Sequence, residues 1–144
     1  MGASPTIYCL DNVTDYLQFE RLCHDLMSLE GYKSIEPLGG FSDKGRDAIE
    51  MDTSNQTTIF AYSVREDRYV KLMEDSRKIH KYGHTCDKLV FITTAHFSAS
   101  ERDVAVNSIY DDFGWTLDLY GVERLRVLLD AKYPPVKLNH PQIF

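Results

Sequence analysis

Apolar side chains recur at intervals of three and four between Thr14 and Leu29, where Tyr16, Leu17, Phe19, Leu22, Cys23, Leu26, Met27 and Leu29 form one stripe. That spacing predicts an amphipathic helix, capped by Asn12 or Thr14 and closed by Gly31. Tyr32–Leu38 reads as a short strand, and Pro37 puts it at a sheet edge or a strand end. A glycine-rich turn, Gly39–Arg46, drops into the strand Asp47–Asp52, and Thr53–Gln56 joins it to Thr57–Val64 as a hairpin. The spacing of Tyr69, Val70, Leu72, Met73, Ile79 and Tyr82 predicts a second helix over 67–82, stopped by Gly83. Lys88–Thr94 is a run of β-formers such as a strand buried on both faces carries. Ser98–Phe113 reads as a helix that opens on a capping box, Ser98 with Glu101 three residues on. Trp115–Tyr120 alternates as a strand does, and Gly121–Asp130 closes the pattern as a short helix. The order is α-β-β-β-α-β-α-β-α, an α/β arrangement. Tyr133-Pro-Pro then breaks regular structure, so residues 1–132 are read as the domain and 133–144 as a docked tail or a linker.

A length of 144 residues suits one domain, and 43% hydrophobic with 26% charged residues is enough to bury a core, which excludes a disordered chain. The longest apolar runs fall far short of the roughly 20 residues that cross a bilayer, and no charged-then-apolar leader opens the chain, so a cytoplasmic location is expected. Three cysteines without paired spacing point to reduced thiols. With 16 Lys and Arg against 22 Asp and Glu, any grip on a polyanion must come from a local patch. No phosphate loop, nucleophile elbow or dinucleotide fingerprint is present, which removes nucleotide hydrolysis and acyl transfer. His80, His84 and Cys86 are spaced as zinc ligands can be, yet they lack a fourth partner, and histidines at a helix end commonly serve the terminal dipole. The myristoylation-like Met1-Gly2 with Thr6 is a frequent pattern and carries no argument.

Set in this order, Phe19-Glu-Arg-Leu and Glu30-Gly-Tyr32, then Gly45-Arg-Asp-Ala48, Ile59–Arg65 and Lys88–Thr93 resemble the Mrr-like branch of the PD-(D/E)XK restriction-endonuclease superfamily. The likeness runs from about Tyr16 to Leu129. It implies a restriction-endonuclease-like three-layer domain, a central mixed sheet flanked by helices. It also implies hydrolysis of phosphodiester bonds in double-stranded DNA with Mg²⁺ or Mn²⁺ held by carboxylates. Asp47 corresponds to the central metal-binding Asp, and Glu20 to the acidic residue contributed by the first helix.

Where the family carries Glu or Gln, any residue, then Lys, this chain has Ala61, Tyr62 and Ser63. Ala61 offers no side-chain oxygen, so a metal would rely on Asp47, Glu20, water and the backbone carbonyl of Tyr62. The cation that would stabilise charge on the phosphate must come from elsewhere, and Arg65 and Lys71 are the candidates, with Lys71 resembling a migrated lysine. Lys44, Arg46, Arg65, Arg68 and Lys71 are the expected DNA contacts. Glu50 and Asp52 are expected on the outward face of their strand. The resemblance further implies a homodimer or higher oligomer, an effector role in antiphage defence, and sensor or ATPase domains downstream. The losses at Ala61 and Ser63 motivate a rival: a degenerate nuclease that binds DNA or protein without cutting. A second rival is a scaffold domain with no phosphate affinity.

Overall fold

The computed structural model describes residues 4–38 and 45–144; most of the glycine-rich turn, with Lys44, lies outside the described residues. Helices α1 (Pro5–Asp11), α2 (Tyr16–Leu29), α3 (Arg68–Lys81), α4 (Ala99–Phe113) and α5 (Val122–Val127) surround strands β1 (Glu36–Pro37), β2 (Ala48–Met51), β3 (Thr57–Ser63), β4 (Lys88–Thr93) and β5 (Thr116–Tyr120). The strands form one mixed sheet in the order β1-β2-β3-β4-β5. β1, β2 and β3 are antiparallel, and β4 and β5 add in parallel. The α/β fold with helices on both faces of a mixed sheet is therefore as the sequence pattern and the resemblance imply.

Alternation along β3 sorts its side chains between two cores. Phe60 and Tyr62 join α2 and α5 through Phe19, Leu22, Cys23, Leu26, Leu125 and Leu129. Ile59 and Ala61 join α3 and α4 through Leu72, Ile79, Ala105 and Ile109. Phe19, Leu22 and Leu26 are wholly buried, which stabilises the fold by roughly 1.5–3 kcal/mol for each such side chain. These residues fix the rotation of α2 and so the direction of Glu20.

Several boundaries depart from the sequence pattern for identifiable reasons. α1 was not expected; Ser4 caps it by accepting from the Ile7 N–H, and Pro5 opens its first turn. The cap of α2 is Asp15, whose carboxylate accepts from the N–H groups of Leu17 and Gln18, in place of Asn12 or Thr14. β1 is only two residues long, because Tyr32 turns inward to pack edge-on against Phe60 and Pro37 has no N–H to donate. The capping box of α4 forms in both directions. Glu50 does not face outward: it is buried on the same side as Ala48 and accepts from the Ser34 N–H. Asp52 instead builds the hairpin turn by accepting from Ser54 and Gln56. Beyond α5, a wide turn at Leu128–Lys132 leads to a 3-10 turn at Pro134–Asn139, where regular structure was expected to break. Val136 enters the α2-side core and His140 pairs with Asp25 at 2.6 Å.

Glu30, at the end of α2, ties three distant segments together by accepting from Tyr120 (3.1 Å), Tyr133 (2.9 Å) and Lys132 (2.6 Å). Burial alone would push its carboxyl up, but the hydrogen bonds from Lys132, Tyr133 and Tyr120 outweigh it and hold the group below its ordinary value. A depressed folded-state value means stability that is present above the unfolded value, roughly 4.3, and lost as pH falls through the folded value. Thermal midpoints measured from pH 7 down to pH 3 are therefore expected to fall more steeply for the native chain than for Glu30→Gln. Parallel curves would contradict this.

Candidate active site

Asp47 lies one residue before β2, and its backbone still holds the sheet: its N–H donates to Phe60 at 2.8 Å and its carbonyl accepts from Leu38 at 2.9 Å. Its carboxylate prolongs the ladder beyond the strand. One oxygen accepts from the Tyr62 N–H at 2.7 Å, the other from the Tyr16 hydroxyl at the start of α2. The side chain is thus fixed between the second helix and the central strand, and only 7% of the residue is exposed. The turn before it depends on Gly45. This residue has φ +87, and an added Cβ would lie 2.6 Å from the Asp75 carbonyl oxygen and 3.1 Å from the Lys78 Cβ. Only glycine allows the chain to pass so close to α3 in the left-handed region.

Glu20 faces the same side of the sheet from α2 and is 9% exposed. Its proximity to Asp47 is legible in their shared neighbours. The Cys23 thiol is pushed well up by burial, and then by the charges of Asp47 and Glu20. The Tyr62 hydroxyl is pushed up by burial first, with Cys23, Asp47 and Glu20 adding to it. Both groups stay neutral beside the two carboxylates. Among the described residues the Tyr62 hydroxyl has no hydrogen-bond partner, and the ring meets His24 edge-on at 5.3 Å.

The structure brings together Asp47, Glu20 and Tyr62, together with Tyr16 and Cys23, which sequence reasoning missed. A tyrosine and a cysteine on an apolar helical stripe carry no sequence signal of such a role, since both read as core. Ala61 stands opposite Asp47 in the sheet: the Asp47 N–H donates to Phe60 and its carboxylate accepts from the Tyr62 N–H, the residues on either side of Ala61. The Ala61 methyl enters the α3-side core, and alternation puts Ser63 on that side as well. The Tyr62 ring fills the α2 side. Arg65, Arg68 and Lys71 are already engaged. Arg65 is exposed and bound to Asp67 and Glu74. Arg68 reaches Glu101 of α4 at 2.5 Å. Lys71 is held by Asp75, one helical turn on, at 2.9 Å; its side chain is 21% exposed against 4% for its partner. Arg46 enters no ion pair among the described residues, and its buried Nε has no partner.

The zinc reading gains nothing from the fold. The His80 ring packs toward Phe113, and burial pushes the Cys86 thiol up to about 12. Among the described residues, no three His, Cys, Asp or Glu side chains gather as a metal cage. For a hard divalent ion the donor chemistry is different. Mg²⁺ is commonly held by one or two carboxylates and keeps several waters, so the buried carboxylates of Asp47 and Glu20 fit such an ion.

A mixed five-stranded sheet of this order, flanked by helices, is that of a restriction-endonuclease-like domain. The family model described as "Restriction endonuclease", of the Mrr catalytic type, matches residues 11–109, and the chain belongs to that family. No curated protein matches it. Among solved structures, "MspJI Restriction Endonuclease in Complex with 27-mer Oligonucleotide" shares the fold, with a TM-score of 0.58 and 15% identity. The likeness covers 99% of this chain and 36% of that one, so the chain spans about a third of the length of that relative. No helix among the described residues is long and apolar enough to cross a membrane.

Proposed function

We propose that this domain is a metal-dependent endonuclease that hydrolyses phosphodiester bonds in double-stranded DNA. The reading is carried by one observation: in a chain of the restriction endonuclease family, the buried Asp47 carboxylate is fixed between the Tyr16 hydroxyl of α2 and the Tyr62 N–H of β3, and α2 also carries the buried Glu20. Asp47, Glu20 and the backbone carbonyl of Tyr62 would hold Mg²⁺ or Mn²⁺. When bound, such an ion polarises the phosphate and lowers the pKa of a coordinated water.

The chain's own residues set the remaining steps. Tyr16 and the Tyr62 N–H orient the Asp47 carboxylate. Arg46, adjacent in sequence and in no ion pair among the described residues, takes a phosphate oxygen. Lys71 belongs to the helix that packs against Ala61, and among the described residues it pairs with one carboxylate, Asp75, where Arg65 pairs with two, so Lys71 is the one we assign, on leaving Asp75, to the charge that develops on the phosphate. The MspJI structure contains an oligonucleotide, which is consistent with a DNA substrate here. We further propose that the domain works in the cytoplasm as the effector of an antiphage defence protein, beside sensor or ATPase modules. It would cut both strands as a dimer, since one site addresses one strand at a time.

A second reading has a specific observation behind it. Ala61 and Ser63 bring neither carboxylate nor ammonium to β3, and a domain lacking both can bind DNA without cutting it. Incubation of supercoiled plasmid with Mg²⁺ or Mn²⁺ separates the two. The endonuclease reading expects nicked and linear products that disappear with EDTA and with Glu20→Gln. Intact plasmid at high protein concentration, together with retained DNA binding, would establish the binder.

A further inference from the structure

The positive charge of α3 is divided unevenly between its two halves. Arg65 just before the helix, and Arg68 and Lys71 in its first turns, are each paired with carboxylates of the domain. In the second half, Arg77, Lys78 and Lys81 are exposed, and none of them enters an ion pair among the described residues. A cation already neutralised inside the protein adds little to the field felt by a phosphate, whereas an unpaired exposed one acts in full within a Debye length, roughly 8 Å.

The unpaired group also has a position. Gly45 packs against this half of α3, so closely that an added Cβ would lie 3.1 Å from the Lys78 Cβ. The next residue is Arg46, itself in no ion pair among the described residues, and the one after that is Asp47. The free cations of α3 therefore continue directly from the turn that carries the candidate catalytic carboxylate. On a chain of net charge −6 this is a local reversal of sign.

We infer that Arg77, Lys78 and Lys81, together with Arg46, form the tract that holds the phosphate backbone of double-stranded DNA and leads it to Asp47. The inference rests on the DNA reading of the site and specifies which surface does the binding. It moves the contact from the front of α3, where the sequence suggested Arg65, Arg68 and Lys71, to the back. Lysines near a helix C-terminus also favour the helix dipole, a role confined to folding stability. The test must therefore read DNA affinity and stability separately.

The measurement is fluorescence anisotropy of a labelled duplex of about 30 base pairs, titrated with the 144-residue chain in EDTA at salt concentrations between 50 and 200 mM. Each lost phosphate contact flattens the plot of log affinity against log salt by about 0.9. Arg77→Gln/Lys78→Gln/Lys81→Gln is expected to flatten it by two to three units in all, by that rule of about 0.9 for each contact. The thermal midpoint should change little, and Arg65→Gln/Arg68→Gln should leave the slope as it is. If the triple variant binds DNA with the native slope, the tract is overturned while the DNA reading survives. If the native chain shows no salt-dependent DNA binding, both fail. A labelled polyglutamate peptide that binds more tightly than DNA would overturn the inference in favour of an acidic protein partner.

Discussion

Replacing Asp47 by Asn is expected to reduce plasmid cleavage by at least about a hundredfold. The floor follows from general behaviour: removing an outer-sphere partner of a bound metal costs about 10–100-fold in affinity or activity, so a direct ligand should cost more. Asn keeps the shape and one acceptor oxygen, which can still receive the Tyr62 N–H. It loses the second acceptor, now facing the Tyr16 hydroxyl. A hydrogen bond to a charged group contributes about 1.5–3 kcal/mol, so a modest loss of stability accompanies the loss of activity. Circular dichroism at the assay temperature shows whether the variant is folded, and a folded but fully active Asp47→Asn would remove Asp47 from the chemistry. Tyr16→Phe is the matching control: it removes the orienting hydroxyl and leaves the carboxylate, so its effect on cleavage should be smaller than that of Asp47→Asn.

Gly45→Ala should have the largest effect on the fold of any single methyl addition near the site. A non-glycine residue in the left-handed region costs roughly 1–2 kcal/mol, and overpacking against a neighbour costs typically 1–3 kcal/mol. Here the neighbour is the backbone oxygen of Asp75 at 2.6 Å, which cannot rotate away as a side chain could. A combined loss of about 2–5 kcal/mol is expected, read as a lower urea midpoint with an unchanged slope. Because Gly45 is two residues from Asp47, cleavage should fall as well, including at temperatures where the variant remains folded. Native stability in Gly45→Ala would mean that the turn does not need its observed conformation.

Much of the architecture was legible because it rests on local signals. The stripe from Tyr16 to Leu29, the Ser98/Glu101 box and the β-rich run Lys88–Thr93 are each decided by residues close in sequence. α1 carried a comparable signal in Ser4-Pro5, a cap followed by proline. The two candidate carboxylates came from the family resemblance, which their order relative to the helix and the glycine turn carries. What surrounds them was not legible. That Tyr16 would reach Asp47, 31 residues away, depends on how α2 is rotated against the sheet. That Glu50 would be buried depends on the Ser34 turn folding over it. The division of the basic residues into paired and unpaired groups depends on contacts such as Arg68 with Glu101, 33 residues apart, which spacing along one helix does not reveal.

The central claim, that Asp47 and Glu20 hold a hard divalent ion, is tested most directly by Mn²⁺ binding followed by electron paramagnetic resonance in the absence of DNA. The account predicts saturable loss of the free Mn²⁺ signal at one ion per chain, competed by Mg²⁺ and abolished by Asp47→Asn and by Glu20→Gln. Equal binding by the native chain and both variants, or no binding by any of them, would contradict it.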